Sequence, residues 1–519
     1  MKTTLERACR RYALALCLAC ALIMVGCMVG PKYHPPSPPT PAAQNYKEST
    51  ANFQDTQGWK VASPQEAMLR GKWWEVFNDS ELNALEEQVN INNENIKEFF
   101  QNLMEARAVI REARAQYWPS VTTSPSWQRT KASQNLRNTY NTAAPGTTTA
   151  SGQAPSSGLE TTVWSFPVDI SWVPDFWGKI RNEVRQAQYA AQVSAADLEN
   201  ERLTEQASLA QFYFEIRGQD ALQKILDETV QADQRALDVT KAAYETGIGD
   251  YISVVVAQTT LESAQSQAIN VKVARAQDEH AIAVLVGKVA SDFSIPVRPE
   301  LTAPPPIPIG VPSELLQRRP DVAAAERTLA EANATIGIGY GAFYPSVTLS
   351  AAGGVESSSF TNWFSWPSRF WSIGPSISQT IFNGGLYRAQ LNQFTATYNA
   401  DVAEYRQTVL ISFQQVEDNL AAVRLYSQQV ERQQAAVAHA QEFLNLEMGR
   451  YQTGIDPYVD VMTAQTTLLA DQQVLATIQV LQMTSAVSLI EALGGGWDNS
   501  QLPTPSQLTK KAGGYSIQK

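Results

Sequence analysis

Two hydrophobic periods alternate along the chain. From Asp79 or Ser80, either of which suits a helix N-cap, Glu, Ala, Gln and Leu run with helical spacing to about Gln116. The aromatic-proline punctuation Tyr117-Trp118-Pro119-Ser120-Val121 ends that run, and the period drops to two. Trp164, Phe166, Val168, Ile170 and Trp172 alternate with Ser165, Pro167, Asp169 and Ser171, which predicts a two-faced strand. Helical spacing then returns over roughly 179–245 and again over about 250–286. The second half repeats the succession. A shorter helix is predicted over roughly 313–343, Phe343-Tyr344-Pro345-Ser346-Val347 repeats the punctuation 226 positions on, and Val347, Leu349 and Ala351 alternate with Ser346, Thr348 and Ser350. Trp371, Ile373, Pro375, Ile377, Gln379 and Ile381 form one face of a further strand, before helices over 386–451 and 457–492. The long helices would each extend ~100 Å, and the shorter ones, about half as long, match them when stacked in pairs. Abundant Ala and Gln let the helix backbones approach closely and keep their outer faces wet.

The strands have small hydroxyls on their polar face, as a wet lumen prefers. A one-sided sheet in a soluble domain is the alternative. The stripe from Trp164 to Trp172 favours a membrane β-barrel, because eight residues of strand rise about 27 Å against a lipid band ~25 Å tall flanked by aromatic girdles. Beyond the N-terminal leader there is no apolar run of about 18 residues, so any membrane crossing is expected in strands rather than helices. Each half supplies one hairpin, over 118–174 and 345–382, the first closed by a polar loop over about 131–160. Four strands cannot close a barrel that needs at least ~8, so several copies must share one. The predicted fold class is mainly α with a transmembrane β-barrel portion, internally duplicated. Taken alone, the helices would equally suit a soluble coiled-coil spacer.

The duplication is sharpest at the helix reversals. Residues 246–262 read TGIGDYISVVVAQTTLE and residues 453–469 read TGIDPYVDVMTAQTTLL, offset by 207 positions. Gly247 and Gly454 are expected in the left-handed position after a helix, with Asp250 or Asp456 capping the next helix and Pro457 in its first turn. Thr246, Gly247, Thr453 and Gly454 present a tight turn with small polar residues at the end of a long rod, which suits docking to a partner's helical hairpin.

The leader changes the picture of where the chain works. Lys2, Arg7, Arg10 and Arg11 precede an apolar run from about Ala13 to Val25, so residues 1–26 read as a secretory signal. The run ends at Met24-Val25-Gly26-Cys27, which resembles a bacterial lipobox, and Cys27 is expected to carry covalent lipid. A plain signal peptide with a free Cys27 is the alternative. Cys9, Cys17 and Cys20 leave with the signal, so no disulfide is expected. Without the leader's four basic residues and one acidic residue, 36 Lys plus Arg face 50 Asp plus Glu, a net charge of −14 that disfavours nucleic acid. Residues from Pro31 to about Pro64 are proline-rich and polar and read as a tether. His34, His280 and His439 lie on a tether and two unrelated helices and form no ligand cluster. Neither G-x-S-x-G, H-E-x-x-H nor a phosphate-cradling glycine loop occurs, so no catalysis and no cofactor is expected.

With the segments Cys27-Met-Val-Gly-Pro-Lys-Tyr33, Arg318-Arg319-Pro320-Asp321, the two Tyr-x-Thr-Gly turns and Ala492-Leu-Gly-Gly-Gly-Trp497, nearly all of the mature chain resembles the outer membrane factor family. These are the TolC-like exit ducts of tripartite efflux pumps, and the likeness is to their lipoprotein branch. The resemblance implies a homotrimer with a 12-stranded barrel in the outer membrane of a Gram-negative bacterium, standing on a long periplasmic α-helical barrel. It also implies docking to a periplasmic adaptor and an inner-membrane pump, and passive conduction of small molecules such as drugs and toxic solutes. Export of polypeptides through the same kind of duct, or a non-conducting adhesive surface lipoprotein, are the alternatives. In the family the duct narrows near the repeated turns, so Asp460, Asp456, Tyr451, Tyr244 and Ser253, the first-half counterpart of Asp460, are candidate gate residues. The expected organisation is signal 1–26, tether and equatorial segment 27–78, first repeat 79–295, proline-rich connector 296–312, second repeat 313–493 and tail 494–519.

Overall fold

The computed structural model describes residues 28–37, 46–48, 71–131, 160–307 and 317–509. Cys27, the leader, the loop over 132–159 and the start of the second repeat at Ser313 lie outside the described residues. Chain contacts separate two units, one of Met1–Tyr33, Val109–Gln186 and Asn333–Ala396, the other of His34–Ala108, Ala187–Ala332 and Thr397–Lys519.

The first unit is built on a sheet. β1 (Ser120–Thr123) and β2 (Ser126–Lys131) both pair with β3 (Glu160–Trp172), which pairs with β4 (Ser346–Ser357), which pairs with β5 (Arg369–Ser378), all antiparallel. The first arm is broken at Ser124-Pro125, since proline has no N–H to give the ladder. Four strand positions therefore come from five strands, as the two expected hairpins require. The two halves meet in the β3–β4 ladder, where Trp164 through Trp172 face Ser357 through Leu349. Because directly opposed residues share a face, Trp127, Trp164, Phe166, Val168, Ile170, Val355, Trp371, Ile373 and Ile377 lie on one side of the sheet. β5 begins at Arg369 and stops at Ser378 rather than spanning 371–381. Its partner β4 starts at Ser346, opposite Ser378, so the residues beyond have no ladder to join. The two aromatic-proline marks serve the same purpose: the Tyr117 carbonyl accepts from the Trp172 indole at 2.9 Å and the Pro345 carbonyl from the Trp177 indole at 2.8 Å.

In the second unit, Asp79 caps α1 (Ser80–Asn92), accepting from the Glu81 and Leu82 N–H groups at 2.8 and 3.2 Å. The single helix expected over 80–116 is in fact two. Asn93 adopts extended backbone, and its side chain accepts from Ile96 N–H at 3.0 Å, starting α2 (Glu94–Ala115) afresh. The same amide donates to Glu205 at 3.0 Å and to the Leu285 carbonyl at 3.1 Å, which ties the break to its neighbours. α3 (Lys179–Glu245) and α4 (Tyr251–Leu285) complete the first repeat, and α5 (Pro320–Gly341), α6 (Leu386–Gln452) and α7 (Tyr458–Ala492) the second, before a short α8 (Pro505–Leu508); the ends of α2, α3, α5 and α6 next to the strands are counted in the first unit. A buried network fastens the start of the connector: Arg217 reaches the Pro296 carbonyl at 2.8 Å, and Asp220 accepts from Arg275 at 2.6 Å and from the Arg298 N–H at 2.8 Å.

Two sequence motifs meet in this unit. Arg319 grips Asp321 through two bonds, 2.9 and 2.6 Å, and its third nitrogen donates to the Ala492 carbonyl at the end of α7, 3.0 Å away. Gly494 follows with φ of 92°, and a Cβ there would collide with the Arg318 carbonyl, so only glycine fits. α7 is also long and apolar enough to cross a membrane, with a window of mean hydropathy 1.4. No unbroken apolar run announces this, because threonines and glutamines interrupt a stretch rich in Val, Leu and Ile. Its Val461, Ala464, Ala486, Val487 and Leu489 are wholly buried, as in the core helix of a helical bundle.

Candidate functional site

The two helix reversals close alike. Gly247 and Gly454 have φ of 77° and 74°. Ile248 N–H donates to the Ala243 carbonyl and Gly247 N–H to that of Tyr244, both at 3.0 Å; Ile455 and Gly454 do the same to Arg450 and Tyr451 at 3.0 and 2.9 Å. These bonds satisfy carbonyls that a helix end leaves open. The Thr246 and Thr453 hydroxyls bond back to the Ala242 and Gly449 carbonyls at 2.9 and 3.1 Å. Both turns are exposed, and each projects an isoleucine, Ile248 at 87% and Ile455 at 67% exposure. A Cβ on Gly247 or Gly454 would meet nothing within 4 Å, so backbone conformation alone demands glycine there.

The following helices start differently. Asp250 caps α4 by accepting from Ser253 N–H at 2.9 Å. Asp456 does not cap α7. Pro457 holds the N-cap place, one position before the first helical turn where it was expected, and makes no side-chain bond. The offset of 207 aligns Pro457 with Asp250 and Asp456 with Gly249, so the capping carboxylate has no second-half equivalent. Asp456 instead receives the Arg450 guanidinium, with Nη2 3.0 Å from Oδ1, and this bond holds its carboxyl below the usual range. Glu447 and Asp460 complete an acidic group, the three carboxylates each placing an oxygen within 4.8 Å of the others. Partial removal from water, then the Asp456 charge, push the Glu447 carboxyl up. Ser253, the counterpart of Asp460, spends its backbone N–H on the Asp250 cap and brings no charge.

The tyrosines diverge as well. Tyr451 meets Tyr458 edge to face at 5.0 Å, and Tyr244 meets Tyr251 at 5.5 Å. Tyr458 is buried in a cluster with Ala236, Leu237, Val254, Ala257, Leu261, Val461 and Met462, against which Tyr451 packs. Burial pushes the Tyr458 hydroxyl up to about 12. Tyr244 and Tyr251 stay exposed in the chain, at 48% and 61%. The two hairpins are thus joined behind the turns by one apolar cluster, with one tyrosine pair inside it and one outside.

One participant escaped the sequence reading. Asp233 on α3 is 3% exposed, its Oδ2 has no partner, and burial pushes its carboxyl up to about 6, facing Tyr458. Helical spacing marks it faintly, since it sits three residues before Ala236 and four before Leu237 on the buried face. Arg450 was missed too, although its place six residues before Asp456 spans the turn.

The outer membrane efflux protein family matches residues 85–288 and 311–495, both repeats. The chain belongs to this family. Among its relatives, the probable efflux pump outer membrane protein TtgC of Pseudomonas putida is 30% identical over 479 residues, 92% of this chain and 94% of the relative. The cation efflux system protein CusC of Escherichia coli is 26% identical over 494 residues, covering 92% and 97%. The solved outer-membrane channel OprN superposes with a TM-score of 0.79 at 26% identity, over 91% of this chain and all of the other. The Campylobacter jejuni channel CmeC gives the same TM-score at 21% identity and speaks for the fold. Family membership places the protein in the outer membrane of a Gram-negative bacterium, extending into the periplasm, as an efflux duct. It also sets the fold class expected from the sequence, that of a trimeric channel with a 12-stranded β-barrel and a helical barrel.

Proposed function

We propose that the chain, as a homotrimer, is the exit duct for small organic solutes in a tripartite pump, and that its repeated turns are both gate and docking end. The carrying observation is the cluster behind the turns, in which Tyr458, Val461 and Met462 of the second repeat pack on Ala236, Val254 and Leu261 of the first. A duct that opens by parting its hairpins must loosen contacts of this kind. Asp460, Asp456 and Glu447 give the narrow end a negative rim that favours cations, one set per subunit. The three Asp460 carboxylates, one per subunit and roughly 6 Å apart, would repel by only ~0.7 kcal/mol per pair in water, so closure rests on the packed tyrosines and not on charge. The exposed Thr246-Gly247 and Thr453-Gly454 turns, with Ile248 and Ile455, are the surface offered to a periplasmic adaptor's helical hairpin, with an inner-membrane pump behind it. Further relatives are named as outer membrane proteins of a toluene efflux pump and an antibiotic efflux pump, beside the cation efflux protein CusC, and this variety supports a duct whose cargo is chosen by the pump.

The test is crosslinking in cells from photoreactive residues at Thr246 and Thr453, with deletion of the gene scored for solute resistance. Capture of a periplasmic adaptor and loss of resistance support the reading. Capture of none, with resistance intact, refutes it. Lipid on Cys27 belongs to the same proposal as an aid to targeting, since a barrel already holds the chain in the membrane.

A further inference from the structure

The far end of the β-sheet is more than a barrel rim. β4 follows α5 and β5 leads into α6, so the connection over 358–368 closes the hairpin at the end remote from the helices, the cell-surface side. It carries Phe360, Trp363, Phe364 and Trp366 in seven positions. Those rings do not turn into the lumen. Phe360 and Trp363 sit 5.0 and 5.3 Å from Trp164, and Phe364 sits 6.5 Å from Phe166. Trp164 and Phe166 belong to the apolar side of β3, the side that a membrane barrel turns to lipid, so the loop folds down over the outside of the wall. Phe360, Phe364 and Trp366 remain open on that side, at 64%, 70% and 75% exposure.

A cation stands at the edge of this aromatic ledge. Arg369 opens β5 and shares a face with Trp371, Ile373, Pro375 and Ile377, the apolar side. Its guanidinium carbon lies 3.7 Å from the centre of the Trp366 ring. Stacking leaves the N–H groups at the rim of the guanidinium plane free to donate, and no carboxylate of the described residues is ion-paired with it. Three strands away, Arg129 and Lys131 of β2 share the lipid-facing side and both pair with a single carboxylate, Glu160. Three cations against one anion at the outer end of the lipid face contrast with a chain whose net charge is −11. Glu356 does not offset them, because it lies one residue from Val355, on the lumen side of β4.

We infer that Trp366 and Arg369 form a binding site for the phosphate of a phosphorylated lipid headgroup in the outer leaflet, with the Phe360–Phe364 ledge against its acyl chains. The surface continues the lipid-facing stripe of Trp371, Ile373 and Ile377 upward to the depth where headgroups begin, and aromatic rings with an arginine are the groups suited to that boundary. A guanidinium fixed on an indole is pre-set for two parallel bonds to one phosphate.

Native mass spectrometry of the purified full-length trimer, released into mild detergent with either a bis-phosphorylated glycolipid or its dephosphorylated form, tests this. Wild-type trimer should retain the phosphorylated lipid and Arg369→Gln should hold it about tenfold more weakly, as expected for loss of a charge-assisted bond. The dephosphorylated lipid should bind the two proteins equally. Trp366→Leu keeps the arginine and removes its platform, and should weaken retention in the same direction. Equal retention of the phosphorylated lipid by wild type and Arg369→Gln overturns the proposal. So does dissociation of the Arg369→Gln trimer, which would make Arg369 a contact between subunits.

Discussion

Replacing Asp233 with Asn should tighten the packing behind the turns at neutral pH and do little in acid. In the folded chain this carboxyl is raised from 3.8 to about 6 by burial, with Oδ2 unpartnered beside Tyr458. A folded value above the unfolded one means that the native state binds its proton more readily. The stability it allows is therefore complete below about pH 4 and is lost as pH rises through about 6, where the buried carboxylate must ionise. A rise of roughly two units corresponds to about 3 kcal/mol, which a discount for solvent screening brings to about 2 kcal/mol. Asparagine keeps the shape and removes the charge. Amide exchange around residues 230–240 of the purified trimer, corrected for the intrinsic pH dependence of exchange, should be about 30-fold slower in Asp233→Asn than in wild type at pH 7.5. The ratio should fall several-fold at pH 4. A ratio that is the same at both pH values would show that Asp233 is not ionising within the cluster and would refute the reasoning.

Other outcomes follow from the same region, from the Arg319 clamp and from the N-terminus. Asp460→Ala should lower cation selectivity with the trimer intact, read as a shift in reversal potential across a planar bilayer under a salt gradient; an unchanged potential removes Asp460 from the lumen. Arg450→Ala frees Asp456 at an exposed turn and should leave the denaturant midpoint almost unchanged, while raising single-channel open probability. Arg319→Ala removes the clamp on Asp321 and on the end of α7, and should destabilise the chain by about 2–4 kcal/mol, measured by denaturant midpoint. Mass spectrometry of the mature N-terminus should find Cys27 lipidated; an unmodified cysteine, or cleavage elsewhere, rejects the anchor.

Much of the fold was legible because its signals are local. Alternation in β3 and β4, the aromatic-proline marks and the Thr-Gly turns each need only a few neighbours to be recognised. The breaks and the partners were not. Asn93 ends one helix and starts the next by bonding Glu205 and Leu285, over a hundred residues away, and nothing in its own neighbourhood separates it from the asparagines at 90 and 92. At the turns, two nearly identical segments take different roles because their surroundings differ. Tyr458 is buried by the first repeat while Tyr251 has no such cover. Asp456 looks like a capping residue until the offset is applied strictly, which puts Pro457 on the cap and leaves Asp456 to Arg450. Asp233 is one carboxylate among 51 acidic residues, and only its burial distinguishes it.

The ladder between β3 and β4 has a meaning for how such a chain came to exist. A doubled protein is held together by its peptide linkage only until the copies acquire a bond of their own. Here the seam is nine consecutive residue pairs, Trp164 to Trp172 against Ser357 to Leu349, in the middle of the sheet rather than at its edge. The halves are thus joined by backbone bonds of the kind that join subunits, and not by the peptide linkage alone. An ancestor made of two separate polypeptides could have closed the same wall with the same hydrogen bonds, so fusion fixed the stoichiometry without having to invent the interface.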